Sequence, residues 1–122
     1  MDLYLVELTV ADWPASLAWY RERLGLAVEL IDEPHRYALL SAGSGRIALK
    51  AGTPLPGTTT IAFRVPNLDS VLQRFANAGL IPATPPIVST EGYRSVRLTD
   101  PDGHRLEFFE WIRPNPIAPG AV

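Results

Sequence analysis

The stretches VELTVADWPASLAWYRERLG, residues 6–25, and IAFRVPNLDSVLQRFANAG, residues 61–79, are two versions of one pattern. In the first, Val6, Leu8 and Val10 alternate with Glu7 and Thr9, the period-2 signature of a strand with one buried face. Asp12 follows as an N-cap, with Pro14 tolerated in the first helical turn. Trp13, Leu17, Tyr20 and Leu24 then recur at helical spacing, and Gly25 is placed to end the helix. In the second stretch Ile61, Phe63 and Val65 alternate with Ala62 and Arg64. Asn67 takes the cap position, Val71, Leu72, Phe75 and Leu80 form the apolar stripe, and Gly79 is the stop. Val10 matches Val65, Asp12 matches Asn67, Leu17 matches Leu72 and Tyr20 matches Phe75, all 55 residues apart, while Gly25 matches Gly79 after a one-residue deletion. An internal repeat decides the fold, because each copy must be one supersecondary unit.

Outward from each helix the chain breaks into short strand candidates. Residues 27–33, 36–42 and 46–51 are separated by Asp32-Glu33-Pro34 and Gly43-Ser44-Gly45; residues 82–89, 93–99 and 104–112 follow the second helix. The expected architecture is therefore α+β, two βαβββ modules related by a pseudo-twofold within one domain, residues 1–112. Module one covers about 3–52 and module two about 58–112. A single βαββαβ sandwich of the ferredoxin-like type leaves at least two strand candidates unplaced. Twelve prolines punctuate these elements. Three of them, with one glycine, fall in residues 113–122, which read as a Pro-rich C-terminal arm.

Composition bounds the function. With 122 residues, 47% hydrophobic and 20% charged, the chain builds an ordinary core. A net charge of −2 gives no basic surface for nucleic acid or an anionic membrane. No apolar run reaches membrane-span length, and Met1-Asp2-Leu3-Tyr4 lacks the regions of a signal peptide. The absence of cysteine removes disulfides, thiolate ligands and a thiol nucleophile. The expectation is a cytoplasmic protein.

The sequence resembles the vicinal oxygen chelate superfamily of glyoxalases, extradiol dioxygenases and fosfomycin and bleomycin resistance proteins. The resemblance rests on Thr9-Val10-Ala11-Asp12, Trp19-Tyr20, Leu24-Gly25, Phe63-Arg64-Val65-Pro66-Asn67 and the run Asp100-Pro101-Asp102-Gly103-His104-Arg105-Leu106-Glu107, and covers about residues 3–112. It implies paired βαβββ modules and, in chains of this length, a homodimer. It also implies four inward strand positions that bind a divalent cation in metal-dependent members, usually histidine or glutamine, glutamate, histidine and glutamate. Here those positions fall on Leu5, Ala48, Thr60 and Glu107. One carboxylate does not hold a transition metal against water, since such sites need three or four protein ligands. No metal and no other cofactor is expected.

Strand alternation assigns Val6, Leu8, Val10, Ile47, Leu49, Ile61, Phe63, Val65, Val96, Leu98, Leu106 and Phe108 to the helix-packing faces. The opposite faces carry Leu5, Glu7, Thr9, Ala48, Lys50, Thr58, Thr60, Ala62, Arg97, Arg105, Glu107, Phe109 and Trp111. Glu7 and Glu107 either pair with Lys50, Arg97 or Arg105, or face a ligand stacked on Phe109 and Trp111. Two functions follow. One is metal-free binding of a small organic molecule by Leu5, Glu7, Ala48, Lys50, Thr60, Arg97, Arg105, Glu107, Phe109 and Trp111. The other is a lyase-, isomerase- or hydrolase-type enzyme with Glu107 or Glu7 as general base. Lys50, Arg97 and Arg105, with Arg46 and Arg64 at the rim, outnumber the two glutamates and predict an anionic or carbonyl-rich ligand. His35 and His104 are expected to be solvated turn residues.

Overall fold

The computed structural model describes residues 1–57 and 59–112. The expected C-terminal arm, residues 113–122, and Thr58 of the expected open face lie outside the described residues. The described residues form two compact units: residues 1–57 with Asp100–His104, and Thr59–Thr99 with residues 105–112.

In the first unit, strand β1 (Val6–Val10) leads into helix α1 (Trp13–Ala18), and β2 (Ala27–Asp32), β3 (Tyr37–Ala42) and β4 (Gly45–Ala51) follow. The sheet order is β1-β4-β3-β2, with β1 parallel to β4 and the other pairs antiparallel. Asp12 caps α1 as expected: its Oδ1 accepts from Ala15 N–H at 3.1 Å. The helix continues through a π turn, Trp19–Arg23, in which Leu24 N–H donates to the Trp19 carbonyl at 3.0 Å. Gly25 then turns the chain away at φ 82°, a conformation that a side chain resists. Trp13, Leu17, Tyr20 and Leu24 bury the helical stripe with Leu8, Val10, Leu40, Ile47 and Leu49. A bulge at Glu29 interrupts the β2–β3 register.

The second unit repeats the plan with β5 (Thr60–Arg64), α2 (Leu68–Asn77), β6 (Ile87–Val88), β7 (Tyr93–Thr99) and β8 (Arg105–Trp111), in the sheet order β5-β8-β7-β6. Asn67 caps α2 through Ser70 N–H at 3.0 Å, and Gly79 stands at φ 80°. Phe75 is fully buried and meets the Phe108 ring edge-on at 4.9 Å, while Phe63 stacks on Phe108 at 5.0 Å. That packing fixes Leu106 and Phe108 on the helix side of β8. By alternation Arg105, Glu107, Phe109 and Trp111 then lie on the open side. The strand expected over 82–89 shrinks to two residues, because Pro82, Pro85 and Pro86 cannot donate to a ladder.

The fold is thus two βαβββ modules in an α+β arrangement. No helix among the described residues is long and apolar enough to cross a membrane.

Candidate functional site

Three polar groups of the Asp100–His104 turn belong to the first unit and are consumed by its structure. Asp100, 5% exposed, accepts the Tyr20 hydroxyl at 2.7 Å on one oxygen and the N–H groups of Asp102 and His104, at 2.9 and 2.8 Å, on the other. Asp102 accepts from Ala11 N–H at 3.2 Å and from the Ser16 hydroxyl at 3.4 Å. The His104 ring donates from Nε2 to the Thr9 carbonyl at 2.9 Å. A histidine thus meets the end of β1 at Thr9 and a carboxylate meets Ala11 just beyond it, and His104 is not the free turn residue expected from its position. Burial, followed by the Asp100 carboxylate, pushes the Tyr20 phenol well above its ordinary range. The ligand atoms of Asp100, Asp102 and His104 lie within 4.8 Å of one another. Each of the two carboxylates is occupied on both oxygens, and the cluster acts as a hydrogen-bonded clasp.

His35 does sit at an exposed turn, 2.9 Å from Asp32, and its hydrogen bond holds the Asp32 carboxyl below the usual range.

The first sheet's face opposite the buried Leu40, Ile47 and Leu49 carries a row set by register, Glu7–Ala48–Leu39–Leu30, and a second, Thr9–Lys50–Tyr37–Asp32. Ala48 is completely buried, Leu5 half-buried just before β1, Lys50 half-buried and Glu7 exposed. Arg46, counted above as a rim cation, is already committed: its Nε meets Glu29 at 3.0 Å and its guanidinium lies over the Tyr4 ring.

The second sheet's open face carries the rows Thr60–Arg105–Thr99, Ala62–Glu107–Arg97 and Arg64–Phe109–Ser95. A pocket of about 360 Å³ brings Arg97 and Glu107 together with Tyr93, Ser95, Ser89 and Ile87. Arg97 and Glu107 face each other in register, yet among the described residues neither side chain forms an ion pair or hydrogen bond. The Arg105 Nε is buried without a hydrogen-bond partner. Phe109 and Trp111 do not line this pocket. With Tyr93 they form a three-ring, edge-to-face cluster at 5.5–5.8 Å. Tyr93 and Ser95 share the open face of β7 with Arg97, so the period-2 reading that selected Arg97 also contained them. Thr84, Ser89 and Ile87 come from irregular chain and a two-residue strand, where no periodicity marks them.

On the helix side Arg94 joins α2 to the sheet. Its Nη2 contacts Asp69 at 2.7 Å, and its Nε lies 3.4 Å from Glu110, a charge contact rather than a hydrogen bond. Glu110 also accepts Leu68 N–H at 3.3 Å, a carboxylate at the positive end of the helix. These charges are structural.

The four positions that the resemblance assigns to a metal do not fit one. Leu5 and Ala48 have no donor, Thr60 has a neutral hydroxyl, and Glu107 alone supplies a carboxylate. Glu107 stands in register with Ala62, not with Thr60.

Residues 3–108 match the family model for the Glyoxalase/Bleomycin resistance protein/Dioxygenase superfamily. Similar solved structures include a glyoxalase/bleomycin resistance protein/dioxygenase from Nocardioides, 19% identical, covering 94% of this chain and 86% of that one at TM-score 0.78. An integron cassette protein from the Halifax Harbour sewage outfall metagenome is 25% identical over 89% and 97% of the two chains, at TM-score 0.76. A lactoylglutathione lyase from Agrobacterium tumefaciens is 19% identical over 89% and 92%, at TM-score 0.73. No curated protein matches the chain by sequence.

Proposed function

The chain belongs to the glyoxalase/bleomycin resistance protein/dioxygenase superfamily, and from that premise we propose that it binds a small organic anion without a protein-held metal. The observation that carries this reading is the Arg97–Glu107 couple. Both side chains line one pocket, face each other across β7 and β8, and leave their charges unspent among the described residues. Arg97 is exposed and Glu107 half-buried, so both charges stay hydrated and open to a ligand rather than committed to a partner. A ligand that presents an anion to the Arg97 fork and a hydrogen-bond donor to Glu107 completes both. Arg105, one row away with its Nε unsatisfied, adds to the positive field. The same reading treats the protein as a homodimer, supported by exposed Leu30 and Ile31 on the outer strand β2.

A thermal-shift screen of matched anionic, neutral and cationic compounds tests the reading. An anion at about 100 times its dissociation constant adds roughly 2.7 kcal/mol of stability. Arg97→Ala abolishes that gain. Stabilisation by cations alone overturns the proposal. Turnover that disappears in Glu107→Gln while binding persists would make Glu107 a general base and the protein an enzyme.

A further inference from the structure

The pocket at Arg97 is open on its outer side. Strand β7 pairs with β8 from Tyr93 to Thr99, but on its other edge only Arg94 and Ser95 have strand partners, Val88 and Ile87. Among the described residues no strand covers that edge from Val96 onward, because the three prolines between Pro82 and Pro86 end the ladder. A second cavity, about 350 Å³, lies on the α2 side and is walled by Leu72, Ala76, Leu80, Ile81, Pro82 and Pro86 among others. Thr84 and Val96 line both cavities. The pocket that carries Arg97 and Glu107 and the apolar groove therefore share Thr84 and Val96 beside a sheet edge that no described strand pairs. Ile81, 79% exposed, leaves a large apolar side chain bare at the groove.

We infer that the ligand is an amphiphile: an anionic head beside Arg97, and an unbranched apolar chain that passes Thr84 and Val96 into the groove under α2. The inference rests on the reading that the Arg97 pocket holds an organic anion, and it names the rest of that molecule. Arg97 is exposed, so a charge contact there is screened by water and gives weak affinity alone. The groove supplies what the head lacks, since removing apolar chain from water strengthens binding roughly fourfold per methylene. Phe109 and Trp111 line neither cavity, so this route for the apolar part does not run against them.

Butanoate, octanoate and dodecanoate titrated calorimetrically into the whole protein test this. The expected result is one site per chain, with affinity rising by roughly fourfold per methylene until the groove is full. Ala76→Trp, which fills the groove from an exposed helix position, removes the rise with chain length while butanoate binding persists. Ala83→Trp does the same from the loop, so a folding defect in either variant does not decide the matter. Affinity independent of chain length, with butanoate binding still lost in Arg97→Ala, overturns the amphiphile and leaves the anion site standing. A chain-length dependence untouched by both tryptophan variants also overturns it. Binding unaffected by Arg97→Ala, or no binding of any of the three, overturns both.

Discussion

The Tyr20 hydroxyl donates to Asp100 Oδ2 at 2.7 Å, across 80 residues of sequence, and both groups are shut away from solvent. The bond ties the helical repeat of the first module to the Asp-Pro-Asp-Gly turn. Among the described residues it also supplies the one side-chain donor to a carboxylate whose other oxygen is held by two backbone N–H groups. Tyr20→Phe leaves that oxygen without its donor, and hydrogen bonds to charged groups contribute about 1.5–3 kcal/mol. Urea unfolding of this variant is expected to show a loss in that range.

The same pair sets a pH dependence. The Tyr20 phenol is raised in the folded state, so the unfolded chain releases this proton first as pH increases. Its contribution to stability is complete below the ordinary phenol value of about 10 and falls above it, by up to about 1.4 kcal/mol per pH unit. Unfolding midpoints measured from pH 9 to 11 should decline in the native protein. In Tyr20→Phe the decline should be shallower.

The two caps are equivalent positions of one repeat and should behave alike. Asp12→Ala removes the acceptor of Ala15 N–H, and Asn67→Ala that of Ser70 N–H. Each is expected to cost about 1 kcal/mol in thermal or urea unfolding. Ser at either position should recover most of the loss.

Chelator should leave the melting temperature unchanged, because only a ligand bound to the native state shifts it. The reason is the donor set: Leu5 and Ala48 offer no ligand atom, and Glu107 faces Ala62 and Arg97 in register. Elemental analysis giving one transition metal per chain, lost in Glu107→Ala, would refute this.

The order of elements was legible in the sequence because its signals are local. Alternation at Val6–Val10 and Ile61–Val65, caps at Asp12 and Asn67, and stops at Gly25 and Gly79 each depend on neighbours within a few residues, and all appear where they were read. Alternation also named the open-face residues Arg97, Glu107 and Phe109. It could not say which of them were free. That depends on register and on distant chain: Arg46 is spent on Glu29 of another strand, and Phe109 and Trp111 on Tyr93. His104, which the sequence placed in a turn, bonds a carbonyl 95 residues away. The two cavities are decided later still, by a strand that three prolines cut to Ile87–Val88, leaving the edge of β7 open. Periodicity fixes the face on which a side chain stands; only the folded chain fixes whether another group has reached it first.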